Sequence, residues 1–283
     1  MIQSMTGYGK SVIQLDTKKV TLEIKSLNSK NLDINTRFPG VYREKEIEVR
    51  RMIARELVRG KVDMSFYIES TTSETSTKIN TGIVANYIAQ LETIRNEADI
   101  LSIAMRLPDV LKTEKEELDD EEWGIIQSGI SEAILGLQTH RSAEGQELKS
   151  DFEKRIVILK EKLEKVMDLD SERLEQVRIR LNKAINELKQ TVDENRFEQE
   201  LIYYLEKLDI TEEKVRLKNH LSYFVEELNS DDSNGKKLGF ISQEIGREIN
   251  TIGSKANFAP MQKLVVEMKD ELEKIKEQLL NVL

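Results

Sequence analysis

Alternating apolar and polar positions dominate the first quarter of the chain. Four segments alternate in part and are rich in β-branched or aromatic residues, which is typical of strands. They are SVIQL at 11–15, KVTLEIKSL at 19–27, LDINTRF at 32–38 and KVDMSFYIES at 61–70. Between the last two segments, apolar residues return at helical spacing as far as Gly60. The pattern predicts three strands, a helix and a fourth strand.

Residues 70–82 are rich in Ser and Thr and are predicted to be a linker or loop. After this segment, the apolar residues recur at helical spacing. A helix is predicted at 83–98, and the acidic stretch at 113–121 is predicted to be exposed. Residues 146–234 contain neither glycine nor proline, and their apolar residues recur every three or four positions. A long helix of this kind cannot bury its apolar stripe alone. We therefore expect it to fold back on itself or to pack against another subunit.

These patterns predict an α+β fold, in which a mixed β-sheet and helix domain precedes a mainly α-helical C-terminal region with long helical arms. In the C-terminal region, helices are predicted at 211–228, up to about Gly253, and from 261 to the end. The predicted divisions are an N-terminal α+β domain at 1–75, a helical connecting region at 76–140, a long helical arm at 141–205 and a C-terminal helical domain with the candidate active site at 206–283.

Composition narrows the class of protein. The 283 residues include no cysteine, which excludes disulfide scaffolds, zinc–thiolate sites and thiol nucleophiles and favours a cytoplasmic location. No export signal or membrane-spanning stretch is expected from the apolar pattern. The net charge is −9, yet the first 70 residues hold 13 Lys or Arg against 9 Asp or Glu, a net charge of +4. This charge would attract a polyanion to the first quarter of the chain, and it also fits the ordinary surface of a small domain.

The segment ISQEIGREINTIGSKANF, residues 241–258, carries the densest set of reactive groups. On a helix its isoleucines share one side, and the polar side holds Gln243, Glu244, Arg247 and Thr251, with Glu248 at the border. Glu244 and Glu248 are spaced to share a divalent cation, and Arg247 to bind a phosphate. Ser254 and Lys255 add an anion-binding hydroxyl and ammonium. A solvated helix face with ion pairs fits the same pattern.

Histidine chemistry is restricted to His140 and His220. On its predicted helix His220 shares a face with four polar or aromatic residues, namely Glu213, Arg216, Tyr223 and Glu227. This arrangement fits the polar lining of a cleft, and it also fits a surface or interface histidine.

Three N-terminal and central motifs have weaker signals. SMTGYGK lacks the spacing of a nucleotide-binding loop and is predicted to be a turn before the first strand. Tyr8, Lys30 and the Arg59–Lys61 pair are candidates for RNA contacts through base stacking and phosphate pairing. RSAEGQEL is predicted to form a salt bridge between Arg141 and Glu144 at the start of the long helix.

Six motifs in order resemble the YicC/YloC family of bacterial endoribonucleases, over nearly the whole chain. They are SMTGYG, SLNSKNLD, RGKVD, RSAEGQEL, DITEEKVRLKNHLSYF and KLGFISQEIGREINTIGSKAN. The last is the most specific. Family polar positions fall on Glu213, His220, Gln243, Glu244, Arg247, Glu248, Asn250, Thr251, Ser254 and Lys255. Two positions depart from the family pattern: Gly246 stands where relatives more often carry a polar or larger residue, and Ser29-Lys30 replaces a frequent His-Arg.

The resemblance implies an endoribonuclease that cuts single-stranded or hairpin RNA with the help of a divalent cation, Mn²⁺ or Mg²⁺. It also implies a homo-oligomer, with a hexamer expected, and other RNA-decay enzymes are further candidate partners. We expect Glu244 and Glu248, with Glu213, to hold the metal. Arg247 and Lys255 would neutralise the transition state. The expected RNA-binding residues are Tyr8, Lys30, Arg59, Lys61, Ser254 and Lys255.

His220 is the expected general acid or base. In a metal-free alternative it deprotonates the ribose 2′-hydroxyl and leaves a 2′,3′-cyclic phosphate. The rival from another class is a noncatalytic RNA-binding scaffold or adaptor built from the long helices. A helical assembly factor without an RNA role is the third interpretation, and the basic first quarter disfavours it.

Overall fold

The computed structural model of the chain describes residues 2–71, 77–94, 99–113, 119–187, 194–231 and 233–283. Its elements are β1 (Gly7–Gln14), β2 (Lys18–Leu27), β3 (Leu32–Arg37), a 3-10 helix (Gly40–Lys45), α1 (Glu46–Glu56), β4 (Gly60–Ser70), β5 (Thr77–Ile79), α2 (Thr81–Ile94), α3 (Ile100–Ala104), β6 (Leu111–Thr113), α4 (Asp120–Glu187), α5 (Glu194–Lys207), α6 (Thr211–Leu228), α7 (Gly235–Lys255) and α8 (Ala259–Leu279). No helix in these ranges has the length and apolar character needed to cross a membrane.

The N-terminal sheet has the strand order β1-β2-β4-β3, with β3 parallel to β4 and the other neighbours antiparallel. Every second residue of β2 is buried, including Val20, Leu22 and Ile24, so one face of the sheet packs on α1 and α4. The crossover that parallel β3 and β4 require contains α1. The α+β fold predicted from the sequence is confirmed, with its four strands and the helix before the fourth.

Two glycines explain why SMTGYGK is not the predicted turn. Strand β1 already begins at Gly7, four residues before the predicted start at Ser11. A Cβ atom on Gly9 would lie 1.9 Å from the carbonyl oxygen of Ala133 in α4, and one on Gly7 would lie 3.0 Å from Cγ of Arg141. The glycines therefore let β1 lie directly against the backbone of α4.

The longest element is α4, whose 68 residues extend roughly 100 Å at 1.5 Å per residue. Gly145 lies inside α4 and does not interrupt it. A glycine is required there because the N-terminal segment crosses the helix at this point. A Cβ atom on Gly145 would lie 2.2 Å from the carbonyl oxygen of Ile2. The predicted division of the chain into four regions stays a prediction, and its limit between residues 140 and 141 falls inside this helix.

The predicted salt bridge between Arg141 and Glu144 at a helix start is wrong. Both residues lie inside α4, and their side chains bind the segment before β1 and strand β2 instead. Arg141 is 2% exposed and donates hydrogen bonds to Oγ of Ser26 and to the carbonyl oxygen of Met5, both at 3.2 Å. Glu144 accepts a 2.6 Å hydrogen bond from the hydroxyl of Thr6. The motif therefore fastens the sheet to the long helix.

The apolar stripe of α4 is buried within the chain itself. From Leu148 to Val166 it forms one core with α6, α7 and α8. This confirms the first of the two alternatives for the stripe, in which the chain folds back on it. The helix α7 continues past its predicted end at Gly253, where a Cβ atom would lie 2.9 Å from Cγ1 of Val265 in α8. Gly253 is thus a helix–helix contact and not a C-cap.

A small satellite unit contains α2, α3 and the antiparallel β5–β6 pair, around a core of Val84, Ala104 and Val110. The helix predicted at 83–98 corresponds to α2. Parts of three predicted features lie outside the described residues: 72–76 of the linker, 95–98 of this helix and 114–118 of the acidic stretch. Residues 188–193, between α4 and α5, also lie outside them.

Candidate functional site

A cleft of about 440 Å³ lies where the N-terminal sheet meets the C-terminal helices. Its polar lining comes from the β2–β3 turn, the residue before β4, the cleft side of α7 and the end of α8. These residues are Asn28, Ser29, Lys30, Arg59, Lys236, Ser242, Gln243 and Lys276. Four of them are cations, and none of the described lining residues is a carboxylate. One of the four, Lys276, lies 2.8 Å from Oε1 of Glu273, an exposed residue outside the lining. We call this site the basic cleft.

The walls of the basic cleft are fastened by long-range hydrogen bonds to the C-terminal tail. Nη2 of Arg59 donates to the carbonyl oxygen of Val282 at 2.7 Å, and Nδ2 of Asn28 donates to that of Leu280 at 2.6 Å. Arg141 donates to the carbonyl oxygen of Arg59 at 3.3 Å and so fixes its backbone. These hydrogen bonds therefore hold the sheet and the C-terminal helices in fixed positions around the four cations.

The other polar side of α7 forms a seam with α6. Lys255 lies 2.8 Å from Oε1 of Glu213, and Lys237 lies 2.5 Å from Oε2 of Glu227. The first pair joins the start of α6 to the end of α7, and the second joins the opposite ends, so the two helices are antiparallel. We define the polar seam by its residues on these two helices: Glu213, His220, Glu227, Lys237, Glu244, Glu248 and Lys255.

The middle of the polar seam contains the sequence-predicted catalytic residues. His220 is seven residues from both Glu213 and Glu227, so it lies midway between the two ion pairs on the same face of α6. Helical spacing likewise places Glu244 and Glu248 between the two lysines of α7. His220 is half-buried, and Glu248 is 4% exposed. The structure therefore brings an imidazole and two carboxylates to one level of the seam.

Arg247 lies between the polar seam and the basic cleft. Its side chain is 73% exposed, and Nη1 is 3.8 Å from Oε2 of Glu244, whose side chain is about half exposed. Gln243, the residue before Glu244, lines the cleft. Adjacent residues of α7 thus face different surroundings, with Gln243 in the basic cleft and Glu244 on the polar seam. Arg247 points towards solvent between these two sides of the helix.

Glu213, the third metal ligand that the sequence predicts, lies at the end of the seam beside Lys255, and its role as a ligand stays a prediction. Its Oε1 accepts a hydrogen bond from Lys255, and its Oε2 is buried without a partner among the described residues. Those residues hold no group of three or more Asp, Glu or His side chains with an arrangement suited to a metal. The carboxylates that fit a divalent cation are therefore the i, i+4 pair Glu244 and Glu248, because Mg²⁺ is commonly held by one or two carboxylates with substrate phosphates.

The charged side chains at both ends of the polar seam have partners within the chain. Hydrogen bonds from the hydroxyl and the N–H of Thr211 lower the pKa of Asp209. Thr211 is the first residue of α6 and not its predicted cap, because the N-cap position is Ile210. Lys255 also donates to the carbonyl oxygen of Asp209 at 2.9 Å. At the other end, the hydrogen bond to Glu227 raises the pKa of Lys237. Both lysines of the seam are therefore bound to partners within the chain.

The remaining predicted RNA-binding residues are spread over three places. Lys30 and Arg59 line the basic cleft, while Tyr8 and Lys61 lie on the face of the sheet turned away from α4. The hydroxyl of Ser254 donates to the carbonyl oxygen of Thr251 within α7. The structure places these candidates on separate surfaces, and their roles in RNA binding stay predictions.

Lys236 and Lys276 were missed by sequence reasoning. Lys236 falls in a stretch that reads as an exposed turn, and Lys276 lies in an ordinary amphipathic helix. Only the packing of α7 on α8 brings them together, and it is close: a Cβ atom on Gly246 would lie 3.1 Å from Leu272 Cδ2 and 3.5 Å from Nζ of Lys276. Gly246 thus serves helix packing beside the cleft.

A mixed sheet braced on a long helix, with a cation-lined cleft in an otherwise acidic chain, defines the molecule as an α+β protein suited to a polyanion. Residues 2–150 match the family model described as the N-terminal region of endoribonuclease YicC-like proteins, and residues 166–283 match the model for their C-terminal part. The chain belongs to this YicC-like family.

Two relatives match over the full length of both chains. A protein of Clostridioides difficile strain 630, named probable endoribonuclease YicC, is 36% identical over 292 aligned positions. A protein of Haemophilus influenzae with the same name is 28% identical over 287 positions. The family resemblance drawn from the sequence motifs is confirmed.

Proposed function

We propose that the protein is an endoribonuclease that binds RNA phosphates in the basic cleft and cleaves the phosphodiester chain beside the polar seam. The observation that carries this proposal is the convergence of Lys30, Arg59, Lys236 and Lys276 in a cleft whose described lining holds no carboxylate. Such a cleft attracts a polyanion even in a chain of net charge −9. The names of the two full-length relatives supply the reaction class.

Arg247 and the residues in the middle of the polar seam suit phosphodiester cleavage. Arg247 is exposed and positioned to neutralise charge on a phosphate, and its fork of donors matches phosphate oxygens. His220 brings an imidazole ring to the seam, a group that can accept or donate a proton in general acid–base catalysis. Glu248, almost wholly buried one turn from Glu244, supplies a negative charge at the same level.

A divalent cation, Mn²⁺ or Mg²⁺, is part of the proposal. Glu244 and Glu248 would hold it together with a phosphate of the RNA, because the described residues hold no group of three or more potential ligands. When bound, the cation would polarise a phosphoryl oxygen or lower the pKa of a bound water. We further propose single-stranded or hairpin RNA as substrate, a cytoplasmic location and a homo-oligomer of six subunits. RNA-decay enzymes remain candidate partners.

Cleavage of an end-labelled RNA hairpin tests the proposal. Wild-type protein, Glu244→Ala and His220→Ala are compared with Mn²⁺, Mg²⁺ or EDTA, after equal folding and oligomeric state have been verified. Glu226→Ala is the matched control, because Glu226 is exposed on α6 outside the seam. We expect metal-dependent cutting by the wild type and the control, and a loss of about 100-fold or more in the two seam variants.

Three results would redirect the assignment. If Glu244→Ala cuts RNA as fast as the wild type, the reaction does not take place at the polar seam. Products ending in 2′,3′-cyclic phosphate, formed in EDTA and lost in His220→Ala, would favour attack by the ribose 2′-hydroxyl over metal assistance. RNA binding without any cutting by highly purified wild-type protein would favour the noncatalytic scaffold.

A further inference from the structure

One face of the N-terminal sheet has no partner within the described part of the chain. The opposite face packs on α1 and α4, whereas this one exposes four large apolar or aromatic side chains. Tyr8 is 38% exposed, Val12 50%, Leu27 55% and Tyr67 52%. We call this surface the open face. A four-stranded sheet with exposed aromatic rings is a recurrent platform for single-stranded RNA.

Cations accompany the aromatic rings on the open face. Strand register places Tyr8 opposite Lys25, with Nζ of Lys25 5.5 Å from the ring centroid. In the next row, Lys10 is opposite Glu23, whose carboxylate is 3.3 Å from Lys10 and 3.6 Å from Lys25. A single carboxylate is thus shared by two lysines beside Tyr8, and on the other side of Lys25 the register places Asp63.

The β3–β4 half of the open face follows the same arrangement. Asp63 accepts a 2.8 Å hydrogen bond from Asn35, so this carboxylate is already engaged. Arg37 and Lys61 are exposed and have no ion-pair partner among the described residues, although the register places the exposed Asp33 opposite Lys61. Interfaces between proteins are depleted in lysine, so the lysines of this face favour a phosphate backbone over a second protein surface.

Tyr8 and Tyr67 are spaced for more than one base. Tyr8 pairs with residue 25 of β2 and Tyr67 with residue 21, so the two rings are four residues apart along the strands and two strands apart across the sheet. With standard sheet spacings this separates their Cα atoms by about 16 Å. Each ring offers a separate stacking surface, because every base has a π face.

The open face is continuous with the basic cleft through the chain itself. Leu27 of the open face precedes Asn28 of the cleft, and Lys61 of the open face is two residues after Arg59 of the cleft. Residues 27 and 61 are also direct neighbours in the β2–β4 register. A strand of RNA that leaves the cleft at this corner meets the open face next.

We infer that the open face is a second RNA-binding surface, which stacks unpaired bases on Tyr8 and Tyr67 and pairs Lys10, Arg37 and Lys61 with phosphates outside the basic cleft. The inference rests on the proposed function, since it extends the path of the same RNA. It predicts that affinity grows with the length of unpaired RNA beyond the segment that the cleft holds.

The test measures binding of 2′-O-methyl oligonucleotides, which cannot be cut through the 2′-hydroxyl, by fluorescence anisotropy in EDTA. Oligonucleotides of 4 and of 15 nucleotides are bound to full-length wild type, Tyr67→Leu, Tyr67→Phe and the double variant Tyr8→Leu/Tyr67→Leu. We expect about 10-fold weaker binding of the longer oligonucleotide for each tyrosine replaced by leucine, and near wild-type binding for Tyr67→Phe. Binding of the shorter one should change less than twofold.

Tyr203→Leu is the matched control, because Tyr203 is a 65% exposed tyrosine on α5, far from the sheet in sequence. The inference fails if the double variant binds both oligonucleotides as the wild type does. It also fails if sedimentation shows that the double variant loses binding only because it changes oligomeric state, which would make the open face an interface between copies. Wild-type protein that neither binds nor cuts RNA would refute the proposed function itself.

Discussion

The two polar sides of α7 use similar residues in opposite ways. On the polar seam, Lys237 and Lys255 are each bound to a largely buried glutamate of α6. On the basic cleft, Lys236 lies one residue away from Lys237 but faces a site where no described lining residue is a carboxylate. Paired charges fix the packing of two helices, while charges without a carboxylate beside them remain available to a ligand.

The difference follows from helix geometry. A rotation of 100° per residue sends adjacent residues to different surroundings, so Gln243 lines the cleft and Glu244 lies on the seam. Arg247 projects between the two sides and can serve both. Substitutions in the ion pairs at the two ends of the seam should therefore change stability first, and substitutions in the cleft should change binding first.

The largest effect is expected for Lys255→Met on the polar seam. It leaves the Glu213 carboxylate, whose side chain is 10% exposed, without its charge partner. We expect the free energy of unfolding to fall by about 3 kcal/mol. Urea denaturation measures the change, with Lys218→Met, an exposed lysine of α6, as the control.

Adding Glu213→Gln to Lys255→Met should recover most of this loss, because the uncompensated charge is then gone. If Lys255→Met keeps wild-type stability and only weakens RNA binding, Lys255 belongs with the cleft cations. The contrast between the two sides of α7 would then not hold at this end of the helix.

A smaller effect is expected at Gly235, where the cleft meets the C-terminal tail. A Cβ atom there would lie 2.5 Å from the carbonyl oxygen of Val282, whereas one on Gly239 meets nothing within 4 Å. We expect Gly235→Ala to cost about 2 kcal/mol and Gly239→Ala to gain up to about 1 kcal/mol of helix stability. Thermal unfolding of the two variants side by side gives the comparison. Shifts of the same sign and size would show that the tail does not constrain this wall.

In the cleft, Lys30→Ala should weaken RNA binding without affecting the fold. The loss of one phosphate contact should lower affinity about fivefold and reduce the slope of log affinity against log salt concentration by about 1. The control is Lys154→Ala, an exposed lysine on α4. An unchanged salt slope, or a stability loss larger than about 0.5 kcal/mol, would place Lys30 outside the ligand-binding set.

The smallest effect concerns the pH dependence of the seam. Hydrogen bonds from Thr211 lower the pKa of Asp209. A carboxyl group with a lowered folded-state pKa contributes stability above its unfolded-state pKa of about 4, and that contribution is lost as the pH falls through the folded-state pKa. Asp209→Asn should therefore flatten the fall in melting temperature between about pH 5 and pH 2. Asp168→Asn, a change at an exposed position of α4, should leave the fall as steep as in the wild type.

Local pattern was sufficient for the elements and for part of the site. Alternation identified the four strands, helical spacing placed α6 at its observed limits, and both carboxylates of the i, i+4 pair were found on one helix. These features are properties of short segments, so the sequence alone determines them. The same holds for the family, whose motifs are contiguous.

Tertiary structure decided what the motifs do. The segment Gly7–Gly9, predicted to be a turn, is a strand that packs so closely on α4 that a Cβ atom would clash with the helix backbone. Arg141 is buried and hydrogen-bonded to Ser26 because the sheet packs on the middle of that helix. The basic cleft joins residue 30 to residue 276, and Lys255 is committed to Glu213 and not left for a ligand. Which side chains pair, and where two backbones lie close together, depends on segments that are distant in sequence. The local pattern of apolar and polar residues therefore does not predict these contacts.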